Sequence, residues 1–226
     1  GLTYLASLIL FWREHIIIKN PHLNDIKEQG KNKFFQNIKI FFTRKKLLQS
    51  FIIGFGIYFW WAICKIYIPI TITNMGYGQD TVGFIISAGM FPIVVWETII
   101  TKIAQEEGVK KYITFGFIWL GMLVLSFAFV KIAPLLLMLM ILVNIGAAFI
   151  EPLHETHFFQ IIDKADEEKL FGIYNTSYPI ANILTPLFGS MILMFSDMAT
   201  LWIASAVIFF MIAIVAVSLK EKNSLI

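Results

Sequence analysis

The sequence predicts an all-α polytopic membrane protein built as a bundle of six transmembrane helices. Of its 226 residues, 58% are hydrophobic, and the mean hydropathy is +0.76. The apolar residues come in blocks of about 20, the length that crosses a bilayer. A soluble domain of this size has no core large enough to bury so much apolar surface, and a β-barrel would show short alternating strands. The single cysteine, Cys64, excludes an internal disulfide.

Six apolar blocks, separated by polar residues, prolines and glycines, each predict one span. Their ranges are 47–72, 81–100, 112–130, 134–158, 171–194 and 200–219. Residues 1–12 are apolar but too short to cross. They lack the charged start and cleavage site of a signal peptide, and we expect them to be the tail of a preceding transmembrane helix. The chain is therefore expected to be a fragment of a larger protein.

Sixteen of the 18 basic residues fall on one side of these spans. Nine lie in residues 13–46, and the others follow the second span, the fourth span and the sixth. The opposite side has only Lys131, and Lys65 lies inside the first span. Because Lys and Arg accumulate in cytoplasmic loops, the long loop and the C-terminal tail, 220–226, are predicted to be cytoplasmic. We expect a multi-pass protein of the plasma (inner) membrane.

The basic loop 13–46 contains a segment with helical periodicity, in which Phe34, Phe35, Ile38, Phe41 and Phe42 recur between lysines. This pattern is typical of an amphipathic helix that lies on the inner leaflet and meets anionic headgroups. A flexible basic linker is the alternative. Neither interpretation implies a nucleic-acid partner, because the charge serves membrane topology.

Two degenerate motifs accompany this layout. In "TKIAQEEGVKK", residues Ile103, Ala104, Gly108 and Lys110 match the loop signature G-x-L-A-D-R-x-G-R-K, while Gln105 and Glu106 replace its Asp and Arg. In "ANILTPLFGS", Pro186 and Gly189 match G-x-x-x-G-P-x-x-G-G, with small residues at the other positions. Such residues let helices approach closely.

With these motifs, the chain resembles the C-terminal six-helix half of a major facilitator superfamily transporter. The resemblance implies a half with a 3+3 inverted repeat, joined by the basic linker to an N-terminal six-helix half that is missing here. It also implies that the first span lines a central cavity and that substrate binds between the two halves. No cofactor is implied.

Ionisable residues inside a span are costly and are candidates for function. Gly54, Tyr58, Trp61, Lys65 and Ile68 share one stripe of the first span. Tyr58 and Trp61 are predicted to stack on a substrate, and Lys65 to hold an anionic group or a carboxylate. The alternative is that Lys65 snorkels to the outer interface over Trp61.

Glu97, near the end of the second span and close to Lys102, is a candidate proton site or inner-gate residue. The alternative for Glu97 is a carboxylate paired near the headgroups.

The stretch "FIEPLHETHFF" ends the fourth span with Glu151, His154, Glu155 and His157. Glu151 comes about 25 Å of helix rise after Pro134, and so near the cytoplasmic end. Asn144 precedes it on the same stripe. The resemblance implies that this stripe faces the cavity and its inner mouth, and so that Asn144 lines the substrate pathway. We expect Glu151, His154 and Glu155 to form an inner gate or to couple to protons, since histidine titrates near neutral pH. The alternative is that these charged side chains only reach into the lipid headgroup layer at the end of the span.

A metal site is not expected, because the histidines are spaced i, i+3 rather than as in H-E-x-x-H. The leading hypothesis is therefore half of a secondary transporter that moves a small, organic solute by alternating access, not an enzyme. Two rivals remain open. One is a membrane-embedded metal-dependent enzyme that uses Glu151, His154, Glu155 and His157. The other is a non-transporting membrane scaffold or receptor.

Overall fold

A computed structural model of the chain describes residues 35–219. Within this range there is no β-strand, and six helical stretches are long and apolar enough, by length and composition, to cross a membrane. The prediction of an all-α bundle with six spans is confirmed. Residues 35–43 form a short helix. The predicted helix tail 1–12, the linker up to residue 34 and the tail 220–226 lie outside the described residues.

Eight helices make up the six spans. Four spans are single helices, namely α1 (Lys45–Asn74), α2 (Gln79–Glu107), α3 (Val109–Phe127) and α8 (Met198–Val217). The fourth span is α4 (Ala133–Ala148) followed by α5 (Glu151–Ile161), and the fifth is α6 (Glu167–Asn175) followed by α7 (Ser177–Phe195).

The two broken spans, each predicted as a single span, have the same cause. A proline has no N–H to donate to the carbonyl four residues earlier. Pro152 deprives Ala148 of its partner, and α4 ends at Ala148. Pro179 does the same to Asn175, and α6 ends at Asn175. The break in the fourth span therefore stands just before Glu151, so the acidic stretch occupies a short helix of its own.

Helix α1 is the centre of the bundle and packs against α2, α5, α7 and α8. Its Trp60 is fully buried and meets Phe209 of α8 edge-on, with 6.2 Å between the ring centroids. Among the other helices, α3 packs against α4 and α8, and α2 packs against α4. Large apolar side chains thus hold one side of α1, while the stripe with Tyr58 and Trp61 stays half-buried.

The turn between α2 and α3 is made by Gly108, whose φ of 103° is a conformation that favours glycine. This is the glycine that matches the loop signature. Next to it, Glu107 accepts hydrogen bonds from Lys111 (2.7 Å) and from the Tyr112 hydroxyl (2.8 Å). These two donors hold the pKa of Glu107 below its usual value.

The second motif places α7 directly against α1. A side chain at Gly189 would overlap the ring of Tyr67, so only glycine allows this approach. The Tyr67 hydroxyl donates to the Pro186 carbonyl at 3.2 Å.

Candidate functional site

The candidate site is centred on a hydrogen bond between α1 and α5. The indole Nε1 of Trp61 donates to the carboxylate of Glu151 over 2.6 Å. The bond exists because α1 turns its aromatic stripe toward the helix that begins at Glu151. Both side chains are half-buried. The structure therefore brings together a predicted pathway residue and a predicted gate residue, and the partner of Glu151 is an indole rather than a basic group.

Tyr58, one turn before Trp61, joins the same site to α5 and α7. Its ring meets His154 edge-on with 5.3 Å between centroids, and meets Tyr178 in the same way at 5.1 Å. Edge-to-face contacts of this kind fix the ring orientations. Tyr58 is thus held on two sides by aromatic rings.

His154 is buried, with 2% of its surface exposed. Its Nδ1 lies 2.5 Å from the hydroxyl of Tyr174 on α6, which is also buried. His154 is therefore more deeply buried than the carboxylates of Glu151 and Glu155, and it contacts aromatic rings. His157 is buried one turn further on, with its Nδ1 3.4 Å from the Ser50 hydroxyl.

Lys65 is exposed at the other end of the stripe. Its ammonium lies 5.9 Å from the ring centroid of Tyr178 on α7, within the range of a cation–π contact. The sequence offered Trp61 as the ring beneath Lys65, but Trp61 is bonded to Glu151. Tyr178 therefore contacts both Lys65 and Tyr58.

Two further carboxylates lie around Glu151. Glu155 lies one helical turn after Glu151 on α5, and Glu97 lies on α2, which packs against α5. Glu97 is exposed and Glu155 is half-buried. Within residues 35–219, none of the three ion pairs involves any of these carboxylates. The site consequently gathers negative charge beside Trp61 and positive charge at Lys65.

Asn144 is placed differently from the other candidates. It is fully buried, its Oδ1 accepts from Trp60 at 3.1 Å, and its Nδ2 donates to the Gly89 carbonyl at 2.7 Å. Asn144 thus links α4 to α1 and α2. Contact between Asn144 and a solute stays a prediction.

A metal site was the alternative use of the acidic stretch. Among the residues that the structure describes, no group of three or more His, Cys, Asp or Glu side chains converges as metal ligands. His154 and His157 turn to Tyr174 and Ser50, while Glu151 turns to Trp61. The side chains of the acidic stretch therefore have separate partners on α1 and α6.

Sequence reasoning did not single out Tyr174 and Tyr178 as site residues. Both belong to the polar residues that open the fifth span, and such residues either line a path or bond helices together, with hydrogen-bonded packing the more frequent use. Their separation of four residues is one helical turn, a signal that they share a face. The break at Thr176 was not foreseen, and it decides how the two rings meet α1.

The model of the Major Facilitator Superfamily matches residues 50–224. The chain belongs to this family. The match begins inside the first span and covers the other five spans and both degenerate motifs. No curated protein matches the chain.

Membership of the Major Facilitator Superfamily settles the class of the protein. It is an integral, multi-pass membrane protein whose helices lie in a lipid bilayer, and it is a membrane transporter. Members of this superfamily are generally transporters rather than enzymes.

Proposed function

We propose that the chain forms one half of a secondary transporter that moves a small organic solute by alternating access. The observation that carries the proposal is the Trp61–Glu151 hydrogen bond, which joins the aromatic stripe of α1 to the acidic start of α5. A bond of this kind links a solute-binding surface to a carboxylate that can change its protonation or its partner.

The solute-binding surface in this proposal consists of Tyr58, Trp61, Tyr178 and Lys65. Aromatic faces suit the apolar part of an organic solute, and the ammonium of Lys65 suits an anionic group. Asn144 supports this surface from behind through Trp60. Glu97, Glu151 and Glu155, with His154 behind them, serve as the inner gate or as the proton-coupling groups.

The exposed faces of α2 and the fifth span support the expectation of a second half. Only 28% of the apolar window of α2 and 17% of that of the fifth span are buried, against 67% for α1. We propose that these faces meet an N-terminal six-helix half, related to this one as the family's halves are, with each half built as a 3+3 inverted repeat.

The orientation follows from the charges. Lys102, Lys110, Lys164 and Lys169 share one end of the bundle, and Lys131 lies at the other. We place the first end in the cytoplasm and the protein in the plasma (inner) membrane.

The transport proposal is tested by comparing metabolites inside and outside cells that express this half together with the N-terminal half, because the proposed solute site lies between the two halves. We expect the distribution of at least one organic solute to change on expression, and this change to disappear in Trp61→Ala. Phe129→Ala is the matched control, because Phe129 is 74% exposed in the turn after α3 and far from the site in sequence. The proposal is contradicted if the wild type and Trp61→Ala distribute every solute alike.

A further inference from the structure

A cavity of about 480 Å³ opens at the end of the bundle where α1 begins. Three spans form it: the start of α1, the end of α5 and the residue that follows α8. Gln49 of α1 is buried in its wall and donates to the Ser218 hydroxyl at 2.6 Å, which ties α1 to the end of α8. The cavity is therefore part of the packed bundle.

The rim of this cavity is basic. Arg44, Lys45 and Lys46 line it, and Asp163 is the one acidic side chain among its lining residues. Arg44 reaches Asp166 at only 3.9 Å, with both side chains more than a third exposed, so this ion pair is weak. Within the described part of the chain, Lys45 and Lys46 form no ion pair. The rim consequently carries excess positive charge.

The walls of the cavity are apolar in part, since Leu47, Ile161 and Ile162 also line it. A cationic rim above an apolar wall suits an amphiphile better than a free inorganic anion. The cavity stands where three apolar spans end, which is the depth at which lipid headgroups lie. Phe159, on the preceding turn of α5, is exposed to the surroundings of the helices.

We propose that this cavity binds the headgroup of an anionic phospholipid. Lys45 and Lys46 hold the phosphate, and the glycerol and upper acyl chains lie against Leu47, Ile161 and Ile162. The site lies apart from Trp61 and Glu151 and does not depend on the transport proposal. Because its walls come from the first, fourth and sixth spans, a bound lipid steadies the contact among them.

The test is native mass spectrometry of the purified chain in neutral detergent with equal amounts of dioleoyl-phosphatidylglycerol and dioleoyl-phosphatidylcholine. We expect preferential retention of phosphatidylglycerol. Removing both charges in Lys45→Gln/Lys46→Gln should weaken this binding by about fivefold per lysine, or roughly 25-fold. Lys102→Gln/Lys111→Gln removes the same charge outside the cavity and should leave the binding unchanged.

Asp163→Asn provides a variant in the opposite direction. It removes the acidic group from the cavity and should strengthen phosphatidylglycerol binding, a gain that a misfolded protein cannot produce. An excess of inorganic phosphate, compared with sodium chloride at the same ionic strength, separates a lipid site from a free-phosphate site. Displacement by phosphate beyond the salt control overturns the proposal. So does equal retention by the Lys45→Gln/Lys46→Gln variant, or a loss of binding in Asp163→Asn.

Discussion

The bond between Trp61 and Glu151 holds a carboxylate against an indole in a partly buried position. A hydrogen bond to a charged group contributes more than a neutral one, but pairs between membrane helices measure toward the low end. We therefore expect a coupling of about 1–2 kcal/mol between the two side chains. A bond of this strength can also break during a conformational change, as an inner gate requires.

A double-mutant cycle checks this coupling. Trp61→Phe and Glu151→Ala should each destabilise the protein, and the double variant should lose about 1–2 kcal/mol less than their sum. The measurement is unfolding of the protein in detergent. The same cycle with Glu155→Ala is the control and should be additive, because Glu155 lies one turn beyond the partner of Trp61. Additivity in the Glu151 cycle would refute the bond.

Glu107 offers a pH-dependent prediction outside the spans, because the apolar span within α2 ends at Ala104. Hydrogen bonds from Lys111 and Tyr112 lower its pKa below the ordinary 4.5. A lowered pKa means that the folded state favours the charged carboxylate, so the stabilisation is complete above 4.5 and disappears as the pH falls through the folded value. The melting temperature of Glu107→Gln should therefore lie below that of the wild type at neutral pH, and this gap should close in acid.

The control for Glu107 is Glu106→Gln, which removes an exposed neighbouring charge. Its melting temperature should stay level with that of the wild type across the same pH range. A gap for Glu107→Gln that widens in acid would contradict the assignment of Lys111 and Tyr112 as the stabilising donors.

At the scale of single residues, the sequence located most of the site but not its pairings. Glu151, Tyr58, Trp61 and Lys65 could be identified because charges and aromatic stripes inside a span are visible in the sequence. That Trp61 meets Glu151, and that Tyr178 meets Lys65, depends on the rotation of three helices about their axes. Packing between the helices determines those rotations, and no local sequence pattern predicts them.

At the scale of helices, the contact of α1 with α7 depends on Gly189, which leaves room for the ring of Tyr67. Gly189→Ala forces the ring or the helix to move, and overpacking of this kind costs about 1–3 kcal/mol. Thermal unfolding in detergent measures the loss. Gly172→Ala, in the same span, is the matched control because a Cβ there meets no atom within 4 Å. Equal stability of the two variants would show that the approach of α7 is not tight.

The helix breaks show where sequence reasoning was incomplete. All six spans could be predicted because twenty apolar residues leave few other structures open. Pro152 marks a plausible place for the fourth span to bend, and the structure breaks there at 149–150, whereas the interruption at Thr176 was missed although Pro179 is plainly visible. Pro69, Pro92 and Pro186 lie inside helices that continue past them. A proline removes one hydrogen bond, and whether the helix then breaks depends on what packs around it.

At the scale of the molecule, the bundle separates a buried frame from a half-buried polar face. Trp60, Asn144 and Phe209 belong to the frame, which is fully buried. Trp61, Glu151 and Tyr178 belong to the face that α1, α5 and α7 present. The family and the spans could be recognised from the sequence, but this division needed the three-dimensional arrangement. Alternating access requires this polar face to become accessible from each side of the membrane in turn.

Labelling of a cysteine on the polar face tests this accessibility. In a Cys64→Ala background, which removes the buried native thiol, Tyr178→Cys is placed in sealed vesicles and treated with an impermeant maleimide from either side. Ile214→Cys on α8, 71% exposed on an apolar span, is the lipid-facing control and should react from neither side. Alternating access predicts that Tyr178→Cys reacts from both sides. Reaction from one side alone, or from neither, would contradict the account.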